Sequence, residues 1–150
     1  MTDPRTTMNQ FGHAISVLNR SAAAYFTRTL KPYSIGPGQQ AYLLALQPEE
    51  EIHQDVLAHR LQVDKANVTR ALGSLEKLGL IHREESPEDK RIRLIRLSSQ
   101  GVIIREEVRA IAQQWIESLQ EAVTSDQWDQ LVSLLEIIAQ TAGQNITPSE

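Results

Sequence analysis

LAHRLQVDKANVTRALGSLEKLGLIHREESPEDKRIRLIRLSSQG, residues Leu57 to Gly101, packs two helical patterns, a turn and two strand patterns into one short stretch. A short helix begins near Ile52, with Val56, Leu57, Ala58 and Leu61 as its apolar side. Leu61-Gln62-Val63 makes a tight turn. Asp64 then stands where an N-cap belongs, because its carboxylate can accept from the unpaired backbone N–H groups of a helix start. The helix that follows runs from Lys65 to about Leu78, and Gly79 suits the left-handed residue that closes a helix. Residues 80 to 85 and 91 to 97 are rich in Ile, Leu and Arg and flank Ser86-Pro87-Glu88-Asp89. They predict two strands joined by an exposed turn.

On a helical wheel, Val68, Leu72 and Leu75 fall together and face inward. Ala66, Arg70, Gly73 and Lys77 lie opposite, with Asn67, Thr69 and Ser74 on the shoulders. That outer face is small, polar and basic, as a helix entering a DNA major groove about 12 Å wide must be. Two short helices, a tight turn and a hairpin form a winged helix-turn-helix. Gly73 leaves two readings open: close approach to a DNA backbone, or a tolerated surface glycine that costs about 1 kcal/mol relative to alanine. In the hairpin, Asp89, Lys90, Arg91 and Arg93 are candidates for DNA contact. Arginine is drawn into narrow minor grooves, and Asp89 is spaced to pair with Arg91 and hold its guanidinium extended. The plainer reading of this charged tip is a solvated loop.

Outward from this core, Phe11, Ile15, Leu18, Ala22 and Phe26 make one stripe on a helix from about Thr6 to Leu30, ended by Pro32. Ile35-Gly36-Pro37-Gly38-Gln39 reads as the next helix start, with Gly36 as N-cap, Pro37 at the first helical position and Gln39 reaching back. That helix runs to about Leu46 with Leu43, Leu44 and Leu46 inside. A long helix after Ser98 reaches to about Val123 and carries Ile104, Val108, Ile111, Trp115 and Leu119 on one face. Thr124-Ser125-Asp126-Gln127 matches a capping box, and Trp128, Leu131, Leu135, Ile138 and Ala142 line the last helix. The fold class is mainly α with a small β-hairpin. A winged helix-turn-helix lobe at 36–98 is flanked by helices at 6–30 and 99–143, whose stripes predict a dimerisation lobe.

The 150 residues contain no cysteine, which excludes disulfides, thiolate metal sites and thiol redox switches. The start, MTDPRTTMNQFGH, lacks the pattern of a secretory signal, and no apolar run approaches the roughly 20 residues of a membrane span. A cytoplasmic protein without membrane contact is expected. His53, Asp55 and His59 are spaced for a metal but lack a third firm ligand, and no phosphate loop, nucleophile elbow or HExxH is present. Neither an enzyme, a cofactor nor a metal is expected. The formal charge of −4 runs against DNA binding, but its distribution does not. Residues 53 to 98 hold nine Lys/Arg against seven Asp/Glu, while the remainder holds six against twelve. Local positive groups decide affinity for phosphate. The acidic total also leaves an alternative, a winged-helix protein–protein adaptor that does not bind DNA.

Val68-Thr69-Arg70, Leu75-Glu76, Gly79-Leu80 and Asp89-Lys90-Arg91, in this order, resemble the MarR family of multiple-antibiotic-resistance regulators. The helices before and after match in order and length, so the resemblance covers nearly the whole chain. It implies a transcriptional repressor acting as a homodimer, with two reading helices about one DNA turn apart on a pseudo-palindromic operator. It implies that Lys65, Asn67, Thr69 and Arg70 serve the major groove and Arg91 the minor groove. It also implies release by a small aromatic or acidic effector bound between the lobes, where Arg20, Tyr25, Arg28, Tyr33 and His59 are the candidates. The thiol-sensing branches of the family are excluded, since no cysteine can be oxidised.

Overall fold

The computed structural model describes residues 4–144. In chain order the elements are α1 (Pro4–Thr29), a single 3-10 turn (Lys31–Tyr33), α2 (Gln39–Ala45), β1 (Glu51–His53), α3 (Gln54–Leu61), α4 (Lys65–Lys77), β2 (Ile81–Glu85), β3 (Arg93–Leu97), α5 (Ser99–Gln120) and α6 (Ser125–Gln144). The caps that local chemistry predicts are in place. Asp64 accepts from Asn67 N at 2.8 Å. Gly79 takes φ 73°, and α4 closes with Gly79 N donating to Glu76 O at 2.9 Å and Leu80 N to Leu75 O at 3.0 Å. Thr124 and Gln127 exchange both bonds of a capping box, at 3.0 and 3.3 Å.

The hairpin turns out to be part of a three-stranded antiparallel sheet in the order β1-β3-β2. Ile52, expected at a helix start, pairs instead with Ile95, and Ile81 pairs with Leu97. A three-residue strand carries too little pattern to show in sequence, and its hydrogen bonds exist only once β3 is beside it. α2 also starts later than expected. Gly38, at φ 82°, is its N-cap, so Pro37 stays in the preceding turn. Gln39 does reach back, its Oε1 accepting from Gly36 N at 2.9 Å.

Leu30, Leu43, Leu46, Leu57, Val68, Leu72, Leu75, Ile81, Ile95 and Val108 are the largest fully buried side chains, and they hold the two helix-turn-helix segments against the sheet and α5. Val56, assigned to the apolar side of α3, is instead 45% exposed. The α4–β2 turn is welded to α5: Ser98 Oγ donates to Gly79 O at 2.6 Å and accepts from Gly101 N at 2.9 Å. Gly101 packs so closely that a Cβ there would lie 1.8 Å from Leu80 O. Arg105, buried on α5, donates from Nε to Leu46 O at 2.6 Å and from Nη2 to Leu44 O at 3.3 Å. It thereby satisfies carbonyls at the end of α2 that have no partner within their own helix. Phe11, Ile15 and Leu18 on α1 and Leu131, Leu135 and Ile138 on α6 stay exposed in the single chain.

Candidate nucleic-acid interface

α4 presents the face that its wheel predicts. Val68, Ala71, Leu72 and Leu75 are buried, whereas Lys65, Ala66, Thr69, Arg70 and Lys77 are exposed. Arg70 is not a loose arm. Its Nη2 donates to Asn67 Oδ1, and Asn67 Nδ2 donates to Asp64 Oδ2 at 2.6 Å. The N-cap carboxylate therefore orients the asparagine, and the asparagine orients the arginine. Asn67, expected to read bases itself, has both ends of its carboxamide engaged within the protein. It acts as a strut, because a side chain three residues from both the cap and the arginine meets them on one helix face, and its carboxamide keeps a second N–H and a second acceptor position.

The wing is β2, β3 and the turn between them. Ser86 is buried at its base, and Ser86 N donates to Ile92 O at 2.9 Å. Asp89 does not hold the Arg91 guanidinium as the spacing suggested. Its Oδ1 accepts from Arg91 backbone N at 2.9 Å, so it stiffens the turn instead. Arg93 is the first residue of β3 rather than part of the tip; it lies opposite Glu85 in register and pairs with it at 3.5 Å, its side chain 53% exposed. Lys90 and Arg91 are exposed at the tip.

The pairing pattern resolves the charge of the middle segment. Arg60 binds Glu50, Lys65 binds Asp55, Arg83 binds Glu76, Arg93 binds Glu85 and Arg96 binds Glu84 and Glu51. Arg70, Lys77, Lys90 and Arg91 pair with no carboxylate among the described residues. The acids thus neutralise the cations of the scaffold and leave those of the α4 face and the wing tip. The Lys65–Asp55 pair, with side chains 74% and 67% exposed, is worth no more than about 1 kcal/mol, so a phosphate can displace Asp55. Arg83 reaches from β2 to Glu76 with bonds of 2.9 and 2.5 Å, and it ties the wing to α4.

A profile of the MarR family matches residues 34–92. Over 127 residues the chain is 28% identical to the HTH-type transcriptional regulator SarZ of Staphylococcus haemolyticus (strain JCSC1435), covering 85% of each. Its fold superposes on a MarR transcriptional regulator from Methanosarcina mazei Go1 with a TM-score of 0.81 and 29% identity, over 92% of this chain and 99% of that one. A mutant MarR from Escherichia coli, solved in complex with operator DNA, superposes with a TM-score of 0.77 and 26% identity, over 91% of this chain and 99% of that one. The chain resembles the MarR family in its central segment and shares the fold of MarR regulators over nearly its whole length. It is a transcriptional regulator rather than an enzyme.

Within this MarR-like fold, the five effector candidates are not joined by one network of contacts among the described residues. Tyr25 Oη donates to Ile111 O at 3.1 Å, and the Arg28 guanidinium lies 6.0 Å from the Tyr25 ring centroid. Tyr33 faces Glu107, whose carboxylate accepts from the phenol and raises its pKa. Arg20 and His59 are exposed, and no hydrogen bond or ion pair joins them to that group among the described residues. A groove of about 490 Å³ lies elsewhere, between the start of α2 and α4, lined by Pro37, Tyr42, Val63, Asn67, Arg70 and Ser74. Burial raises the pKa of Tyr42, Asp64 adds to the shift and Arg70 opposes it, which keeps the phenol neutral. Among the described residues no three His, Asp or Glu side chains gather to hold a metal, and no helix is long and apolar enough to cross a membrane.

Sequence reasoning missed Gln54, Arg83 and Arg105. Each acts on a residue outside its own helix or strand, so the periodicity of its own element carries no sign of the partner.

Proposed function

We propose that this regulator is a homodimeric, sequence-specific DNA-binding repressor of the cytoplasm, released from its operator by a small aromatic or acidic molecule. The observation that carries the reading is the α4 face. An arginine is held in advance of binding through Asn67 and Asp64, and the cations without carboxylate partners lie along that helix and at the wing tip. Preorganisation lowers the entropy lost on contact, and a fixed guanidinium fork suits the O6 and N7 of guanine. In this reading Lys65, Asn67, Thr69, Arg70 and Lys77 meet the major groove, with Asn67 also bracing Arg70. Lys90 and Arg91 meet the neighbouring minor groove, and Asp89 and Arg93 hold the wing that carries them.

The lobe of α1, α5 and α6 supplies the dimer contact. Phe11, Ile15, Leu18, Leu131, Leu135 and Ile138 are all more than a third exposed in the single chain. Burying the part of each that is still exposed contributes roughly 1 kcal/mol, about half the value for a fully exposed side chain, so a twofold partner is their natural cover. A groove of about 490 Å³ falls in the size range of small-molecule sites, and Asn67 and Arg70 line it. An occupant there would break the strut behind the reading arginine, which gives release a physical route.

Selection of bound duplexes from a random pool tests the reading directly. Enriched sequences should contain two inverted half-sites centred about one helical turn apart, and affinity should fall as salt rises. Absence of salt-dependent binding at micromolar protein would instead favour the adaptor.

A further inference from the structure

We propose that Gln54 is a specificity-determining positioning residue: it fixes the Thr69 hydroxyl as a hydrogen-bond acceptor toward DNA. The inference rests on the reading that α4 enters the major groove, and adds what one position on that helix recognises. Thr69 is exposed on the outer face of α4. Its Oγ1 donates to Lys65 O at 2.9 Å, one turn back along the helix. Gln54 Nε2 donates to the same Oγ1 at 2.6 Å.

A hydroxyl has one proton and two acceptor positions. Here the proton is held by a helix carbonyl and one acceptor position by Gln54. One lone pair and the γ-methyl remain for the groove. The same count fixes the orientation of Gln54: with the threonine proton engaged at Lys65, only the amide N–H₂ can face Oγ1. Gln54 itself is held by the fold. It is the first residue of α3, directly after His53, and β1 pins His53 opposite Leu94 of β3.

The chemical consequence follows from the base edges. Adenine N6 and cytosine N4 present amines in the major groove, whereas guanine O6 and N7 and thymine O4 present acceptors. An unconstrained threonine serves either kind by rotating its hydroxyl. One locked as an acceptor bonds the amines and sets lone pair against lone pair at guanine and thymine. Arg70, next in sequence, is donor-only, so the two adjacent residues ask for opposite chemistry.

The test is selection from random duplexes with the full chain, its Gln54→Leu and Thr69→Val variants and the double variant, each confirmed folded by circular dichroism. The wild type should enrich adenine or cytosine at one position per half-site, and Thr69→Val should erase that preference there. Gln54→Leu should relax it about fivefold at the same position, the worth of one hydrogen bond, and the double variant should match Thr69→Val alone. An unchanged preference in Gln54→Leu, or a change at a position that Thr69→Val does not affect, would overturn the assignment. A wild type that selects no sequence would remove the groove reading itself, a visibly different failure.

Discussion

Replacing Gly73 with alanine should make the protein more stable and a poorer DNA binder at once. Gly73 lies in the middle of α4, between Arg70 and Lys77 on the face that turns outward. A Cβ built there meets only Arg83 Nη2, at 3.9 Å, which is ordinary contact. Nothing inside the chain therefore requires a glycine. Helix propensity then favours alanine by about 0.8–1 kcal/mol, or roughly 2–4 °C in melting temperature for a chain of this size. In the groove the balance reverses. A methyl group at the point of closest approach holds α4 away by about one C–C bond, roughly 1.5 Å, enough to carry the flanking contacts out of hydrogen-bonding range. Loss of one good base contact corresponds to about 1–3 kcal/mol. Thermal unfolding at matched protomer concentration gives the first quantity, and fluorescence anisotropy with the selected operator gives the second. Equal affinity would show that Gly73 is merely a tolerated surface glycine. A lower melting temperature would show that α4 lacks the space attributed to it.

Arg91→Ala should weaken operator binding and leave the dimer intact; dissociation of this variant in sedimentation would mean that the wing tip belongs to the dimer contact. Gly101→Ala should destabilise by at least about 3 kcal/mol in denaturant unfolding, since its Cβ would lie 1.8 Å from Leu80 O and only backbone movement relieves that overlap. A near-normal midpoint would contradict the packing of α5 on the α4–β2 turn. The Arg60 guanidinium holds the Glu50 carboxyl down at about 2 through bonds of 2.7 and 2.9 Å. A depressed carboxyl stabilises the fold above its unfolded value, near 4.5, and loses that contribution as pH falls toward 2. The stability advantage of wild type over Glu50→Gln should therefore be constant near neutrality and vanish between about pH 4.5 and 2; a gap unchanged by acid would refute it.

The features legible in the chain are those whose partners are close in sequence. Asp64, Gly79 and the Thr124–Gln127 box bond within a few residues, and the Val68, Leu72 and Leu75 stripe is one face of one helix. The differences in local contacts share a cause as well. Charge and spacing aim Asp89 at the Arg91 guanidinium and Arg93 outward, yet a turn N–H takes the first and a cross-strand glutamate pairs with the second. Asn67 has the right chemistry for adenine, and Asp64 and Arg70 also lie within its reach. The start of α2 moved because Gly38, not Gly36, adopts the left-handed backbone that admits the helix.

The sequence by itself determined the helices, the turn and the outward face of α4, because capping and amphipathic periodicity are written at separations of three and four residues; the resemblance to the MarR family rests on its motifs instead. Tertiary structure alone decided which cations stay available to phosphate, where β1 pairs and how Gln54, Arg83 and Arg105 act. Hydrogen bonds and ion pairs are short-ranged and directional, so their partners are settled only when folding brings distant segments within about 3 Å of each other.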